Sequence, residues 1–345
     1  MTEVARHVYQ SSGGGKTYVP MEVGARVLAG ATTPQLAKML SWKYTKMAAA
    51  DVAEDFCLNH HRSISRSFVQ DVCHTVAEIA VENENDWSYA LPTMPQVVSH
   101  IAIGRDGAMM PIRGEGYREA MNGTIALYNP ATERMHTIYV SCAPQHGRQS
   151  FGEVLEREIG EIMGIYPALP RIGLGDGARE NWTYLGSRTD VEILDFYHVT
   201  EYLAAVSAPM AAAGESPQDW LSDACHRLKH DPTGAADILN EMQQKSAAIR
   251  SKQKKILLGT TITYFTNNSS RMKYPEYVAK NYPIGSGVTE AACKVMVKQR
   301  LCASGMRWTT TRTDDMLLLK GLTQTPGRWD QFWKHIDNHG VAAGQ

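Results

Sequence analysis

No Cys-x-x-Cys pair occurs in this sequence; its six cysteines, at 57, 73, 142, 225, 293 and 302, are widely scattered. That spacing excludes a zinc ribbon and a disulfide framework, and it suits the reduced thiols of a cytoplasm. No run approaches the roughly 18–20 uninterrupted apolar residues that a membrane span needs. The stretch from Met1 to Arg6 lacks an apolar core behind a basic end, so no signal peptide is expected. There is no internal repeat. Neither sign of charge is in excess, with 35 Lys and Arg against 36 Asp and Glu. An apolar fraction of 43% with 21% charged residues excludes wholesale disorder. The 345 residues suggest two domains, or one domain with a large insertion.

The balanced total hides an asymmetry. Between Lys245 and Arg312 there are 13 Lys or Arg against two acids, Glu276 and Glu290, which leaves 22 basic and 34 acidic residues elsewhere. Such a segment marks a surface facing a polyanion or, failing that, a solvated helical face.

The first 30 residues, with a Ser-Ser-Gly-Gly-Gly run, read as a flexible lead. Gly15, Lys16 and Thr17 imitate the end of a phosphate-binding loop, but Gln10 stands where that loop needs glycine and Pro20 where its helix would start. From Thr33 to about Glu84 the pattern is helical. Thr33-Pro34 supplies a cap and a first-turn proline. A second helix is expected over Ala48–Asn59. A third follows His60–Arg62, capped by Ser63 or Ser65, with an apolar stripe of Phe68, Val69, Val72, Val76, Ile79 and Ala80. Three helices with a tight turn before the last resemble a helix-turn-helix unit. Arg66 and Gln70, on the polar face of the third, can read base edges.

After Pro92 the period changes. Val97–Asp106, Thr124–Tyr128 and Met135–Cys142 are predicted strands, the last two joined by a turn at Asn129-Pro130. A helix over Phe151–Gly164, a strand over Arg171–Leu174, a short helix and a strand over Val191–Asp195 follow. From Thr200 to about Lys280 nearly everything is helical. A helix over Thr289–Ser304, another near Asp314–Leu322 and an aromatic tail through Trp329, Phe332 and Trp333 close the chain.

Four acids fall where strands or turns should end: Asp106, Asp176, Asp195 and Glu290. A carboxylate at the end of a buried strand is costly unless something positive binds it, and oxygen ligands suit Mg²⁺. Two carboxylate-held metals can activate an attacking oxygen and stabilise a leaving one on a phosphate. Any one of these acids alone is as readily a cap or turn residue. The sequence Gly173-x-Gly175-x-x-Ala178, with Asp195 about 20 residues on, also satisfies a dinucleotide-binding fingerprint. Asp176 argues against that, because it would put a carboxylate in the loop meant to cradle pyrophosphate.

The element order, three antiparallel strands, helix, strand, helix, strand, is that of an RNase H-like fold, whose acids fall on the first strand, after the fourth and on a later helix. Asp106, Asp176 and Glu290 occupy those places. The blocks Gly116–Tyr128, His136–Tyr139, Asp176–Trp182, Asp195–His198, Pro283–Leu301, Gly305–Trp308 and Arg328–Trp333 resemble the ISKra-type insertion-sequence transposases over most of residues 18–340. The resemblance implies a DDE transposase with Asp106, Asp176 and Glu290 as a triad holding two Mg²⁺ ions, for which Mn²⁺ can substitute. Asp195 and His198 match the Asp/Cys-x-x-His signature of the related mutator-like enzymes. Many members carry a cysteine-rich, zinc-ribbon-like stretch, which this chain lacks.

The fold class expected is therefore α/β, an RNase H-like catalytic domain with an all-α insertion, preceded by a helix-turn-helix-like N-terminal domain. The layout expected is a lead over 1–32, a DNA-binding domain over 33–92, catalytic parts over 93–199 and 282–345, and the insertion over 200–281. Lys294, Lys298 and Arg300 are placed to hold a DNA backbone. Trp182 and Trp308 can stack on an unpaired base or belong to the core. The implied partners are element-end and target DNA and a second copy of the chain, forming a dimer on DNA, with no membrane. The implied setting is the bacterial cytoplasm, at the nucleoid. The alternatives are an element-derived DNA-binding protein without cleavage and a Mg²⁺-dependent nuclease without strand transfer.

Overall fold

A computed structural model describes residues 7–339 apart from 16, 29–31, 84–86 and 145–147. Residues 1–6, Lys16 and Glu84, on which three of the readings above rest in part, lie outside the described residues. No helix among the described residues is long and apolar enough to cross a membrane.

The described chain opens with a short helix, α1 (Pro20–Gly24), and the three expected helices follow as α2 (Pro34–Tyr44), α3 (Ala49–His60) and α4 (Arg66–Glu82). Thr33 caps α2 through the Leu36 N–H, and Ser65 caps α4 through the Phe68 N–H, so each hydroxyl satisfies an orphan donor. The reversal between α3 and α4 uses His61 in the left-handed region, at φ 51°. The α4 stripe of Val69, Val72, Val76 and Ile79 is fully buried, while Arg66 and Gln70 are exposed.

Five strands form one mixed sheet in the order β3-β2-β1-β4-β5: β1 (His100–Ile112), β2 (Gly116–Tyr128), β3 (Arg134–Cys142), β4 (Arg171–Gly175) and β5 (Val191–Leu194). The first three pair antiparallel, and β4 and β5 add in parallel beside β1. Asn129 makes the β2–β3 turn by accepting the Ala131 and Glu133 N–H groups on its Oδ1. Between β3 and β4 runs α5 (Arg148–Ile165), and between β4 and β5 runs α6 (Arg179–Leu185).

The first hairpin is longer than expected. β1 runs six residues past Asp106 and pairs with β2 as far as Ile112 with Gly116. Gly107 and Pro111 lie within this extension, and Gly114 and Gly116, both at positive φ, make its turn. Yet β1 pairs with β4 only from Ile101 to Gly104, and on that side its outer half meets no further strand, only an isolated bridge from Ile112 to Trp308, so a proline is tolerated. Asp106 therefore lies inside β1 and not at its end.

Helices α7 (Phe196–Met210), α8 (Pro217–His230), α9 (Gly234–Ala248), α10 (Lys252–Asn268) and α11 (Tyr274–Ala279) make the expected all-helical stretch. Trp220, Leu228, Ile238, Met242, Leu258 and Phe265 share one core with the sheet and with α5 and α7. After α11, α12 (Gly287–Ala292) continues through a π-helical turn, Cys293–Lys298, into α13 (Gln299–Leu301); α14 (Thr310–Gln324) and α15 (Arg328–His339) follow. A second core joins α2, α3 and α4 to the outer half of β1, the π-helical turn, α14 and α15. The helices of 33–92 thus close no core of their own, and position 92 does not divide the packing.

Candidate active site

Sheet register brings the acids together. Gly104 pairs with Leu174, and Gly175 with Leu194. Asp106 and Asp176 each stand two residues past the first pair, and Asp176 and Asp195 one residue past the second. Asp106, inside β1, and Asp176 and Asp195, one residue past the ends of β4 and β5, therefore stand at one level across three adjacent strands, with neighbouring strands spaced about 4.8 Å. Asn122 and Ser141 extend that level across β2 and β3.

Glu290 reaches the same face because α12 lies directly on β1. A Cβ at Gly104 would stand 1.9 Å from Thr289 Oγ1, so only glycine admits the helix there. Thr289 also meets Thr124 of β2, hydroxyl to hydroxyl, at 2.8 Å. One turn further, the Cys293 thiol donates to Asp106 Oδ2 at 3.4 Å and accepts from Asn122 Nδ2 at 3.4 Å. Ser141 Oγ in turn donates to Asn122 Oδ1 at 2.6 Å. A chain of polar groups thus fixes the Asp106 carboxylate from behind, and π-helical turns of this kind are frequent at functional sites.

The carboxylates are electrostatically crowded. Burial holds Asp106 above the ordinary carboxylate range, and the Asp176 and Glu119 charges add to it, against the lowering effect of the Gly107 N–H and the Cys293 thiol. Glu290 is likewise raised, first by burial and then by Asp195 and Asp106. The charges acting most strongly on either group are other acids, not cations. Asp106 and Asp176 open together into a cleft of about 380 Å³ that also carries Glu119, Arg179, Glu180 and Asn181. Asp176 Oδ1 accepts the Ala178 N–H at 3.0 Å and Asn181 Nδ2 at 3.4 Å.

Asp195 has a different part. It is 1% exposed, and its Oδ1 caps α7 by accepting the Tyr197 and His198 N–H groups. Its Oδ2 accepts the Ser286 N–H at 3.0 Å and the Ser286 hydroxyl. Ser286 Oγ also lies 3.0 Å from Glu290 Oε1. With four donors around it, Asp195 anchors the loop that carries Ser286, and through it Glu290. His198 gives Asp195 only its backbone N–H; its ring meets Tyr202 and Tyr264, and its Nδ1 lies 3.3 Å from Glu201 Oε2.

Three of the residues expected to touch DNA are corrected by their burial. Arg300 is 4% exposed: its Nε donates to the Tyr44 carbonyl at 2.8 Å, and its guanidinium lies over Tyr44 and Trp308. It clamps α2 to the C-terminal part and presents no charge to a phosphate. Trp308 and Trp182 are each 6% exposed; Trp182 packs on Gly175 beneath Arg271, so neither indole face is open to a base. Lys294 and Lys298 are exposed beside Glu290 as expected, and Arg66 and Gln70 line a cleft of about 470 Å³ together with Arg307 and Arg312.

No motif or spacing marked Tyr264, Ser286, Cys293 or Asn122 as parts of the site. Tyr264, on α10, donates its phenol to the Asp176 carbonyl at 2.7 Å and stacks on Tyr202 at 3.9 Å between ring centres. Burial, with Tyr202, Asp176 and Asp195 close by, pushes that phenol far up.

Among the described residues no three His, Cys, Asp or Glu side chains are gathered tightly enough to cage a metal ion. The donor set nevertheless fits a hard cation, since Mg²⁺ is commonly held by one or two carboxylates and otherwise by water. Asp106 and Asp176 offer that pair in one cleft. No protein-family model matches the chain, and no curated protein matches it.

Proposed function

We propose that this chain is a DDE transposase of the ISKra type with an RNase H-like core, cutting and joining the DNA ends of a mobile element. The observation that carries the reading is the juxtaposition of Asp106 and Asp176 across β1 and β4, with Glu290 seated over the same face by the Gly104–Thr289 contact. The element order supports it, since three antiparallel strands, a helix, a fourth strand, a helix and a fifth strand agree with the order expected of an RNase H-like core.

Asp106, Asp176 and Glu290 would hold two Mg²⁺ ions, or Mn²⁺ in their place, which when bound supply an activated oxygen nucleophile and offset charge on the phosphate. The residues around them do the orienting. Cys293 and Asn122 fix the Asp106 carboxylate, Asn181 and the Ala178 N–H fix Asp176, and Asp195 acts through Ser286 on Glu290. Water attacks the phosphodiester and expels the element end's 3′-oxygen as a hydroxyl; that hydroxyl then attacks a target phosphodiester in line, joining to its 5′-phosphate and expelling the target strand's own 3′-oxygen. Lys294 and Lys298 hold the backbone, Arg66 and Gln70 read base edges, and two copies of the chain pair the element ends.

The test is a cleavage and strand-transfer assay on the flanking DNA of the gene itself, with and without Mg²⁺. Asp106→Asn, Asp176→Asn and Glu290→Gln should each abolish cleavage and leave DNA binding nearly intact, because the amide keeps the shape and loses the charge. Near wild-type turnover by any one of them removes that residue from the triad. Nicking without joining favours a nuclease, and binding without nicking favours a DNA-binding protein derived from such an element.

A further inference from the structure

A second cleft, of about 730 Å³, opens between α6 and α10 beside the acidic one. Its walls contrast with those of its neighbour. They carry Arg179, Thr183, Thr260, Thr263 and Asn267, all exposed, and no carboxylate among the described lining residues. Gly177 and Tyr264 form the end nearest Asp176, where the Tyr264 phenol binds the Asp176 carbonyl. Arg179 lines both clefts, so the polar groove and the acidic cleft are neighbours that meet at this side chain.

The spacing along α10 follows one helix face. Thr260, Thr263, Tyr264 and Asn267 are three or four residues apart and therefore point the same way. From Thr260 to Asn267 the helix rises about 10 Å, which matches three steps of a nucleic-acid strand at about 3.4 Å each. Hydroxyls, amides and an arginine are the groups that bind phosphate oxygens; Arg179 stands ready to do so at the rim of the acidic cleft, while the groove's second arginine, Arg271, is paired with Glu192. Beyond Thr260 the helix begins with Lys252, Lys254 and Lys255, all exposed, which continues the positive potential away from the acids.

We propose that the groove between α6 and α10 is the track for the DNA strand that brings its phosphodiester to Asp106 and Asp176, with Arg179 contacting the backbone at the junction of the two clefts. This rests on the transposase reading for the identity of the strand as DNA, but it assigns a binding surface that the acidic residues do not define.

The experiment measures binding in EDTA, without catalysis, by fluorescence anisotropy of a labelled duplex of the gene's flanking DNA and of one strand of it. The full-length variants are Arg179→Glu, Thr263→Glu, the charge-keeping Arg179→Lys, and Lys334→Glu as a control on the exposed surface of α15. Glutamate suits both test sites as a helix residue, at Arg179 in the first turn of α6 especially, so folding is not at stake. Arg179→Glu and Thr263→Glu should each weaken binding about tenfold at 0.1 M salt. Arg179→Glu should also flatten the slope of log affinity against log salt by about 0.9. Arg179→Lys and Lys334→Glu should bind as wild type does. Wild-type affinity in both glutamate variants overturns the groove while leaving the transposase reading intact. A wild-type protein that binds neither probe overturns both. Failure of the catalytic reading alone is distinct, appearing as binding through the groove with no cleavage when Mg²⁺ is added.

Discussion

Replacing Gly104 with alanine tests whether α12 is seated on β1 as described. The added Cβ would stand 1.9 Å from Thr289 Oγ1, 3.1 Å from Thr289 Cβ and 3.2 Å from Thr124 Oγ1. Carbon contacts are favourable from about 3.5 Å, so the hydroxyl must retreat by roughly 1.5 Å. Rotating the threonine does not suffice, because its Cβ is itself too close and the residue is 3% exposed. The helix must lift, at an overpacking cost of about 1–3 kcal/mol. Since Glu290 follows Thr289 directly, the same shift moves its carboxylate, and a displacement near 1 Å can cost about 100-fold in turnover. Thr289→Ala alone removes the 2.8 Å hydroxyl pair with Thr124 and should cost about 1 kcal/mol. In the double variant the worst clash is gone, so it should be more stable than the sum of the two singles by about 1–2 kcal/mol. Urea denaturation of the four proteins in the cycle measures this without reference to activity. If Gly104→Ala is as stable as wild type, or if the two changes simply add, α12 does not rest on Gly104.

Three further outcomes follow from burial. Lys294→Ala with Lys298→Ala should leave the melting temperature unchanged and lower the salt slope of DNA binding by up to about 0.9 per contact. Arg300→Ala should instead destabilise by about 1–3 kcal/mol, through the cavity between Tyr44 and Trp308 and the unpaired Tyr44 carbonyl; an unchanged melting temperature would place its guanidinium outside the packing. Burial, with Lys46 and Arg300 nearby, pushes Lys320 down to about 8. A folded value below that of the unfolded chain means that protonation opposes folding, a cost present below about pH 8 that fades as the pH rises toward 10.4. Lys320→Met should therefore raise stability at pH 7 by about 1–3 kcal/mol, and wild type should catch up between pH 8 and 10. A gain independent of pH would assign the effect to packing alone.

Local chemistry made much of the chain legible. Thr33-Pro34 and Ser65 start helices because a hydroxyl at the cap and a proline in the first turn satisfy or remove orphan N–H groups, whatever packs later. The stripe of Val69, Val72, Val76 and Ile79 needed only helical periodicity, and the β2–β3 turn only Asn129 and Pro130. The four acids were visible as carboxylates at odds with their apolar surroundings. Tertiary structure decided the rest. Whether β1 ends at Asp106 or runs on to Ile112 depends on which of its edges has a neighbour, which no local window contains. The part of Asp195 depends on Ser286, 91 residues away, whose two groups saturate one carboxylate oxygen. Arg300 has the spacing of a backbone-binding residue with Lys294 and Lys298, yet α2, some 256 residues earlier, covers it. Helix caps and turns are settled between neighbours in sequence, whereas burial and charge pairing are settled between neighbours in space, and the candidate site is made of the second kind.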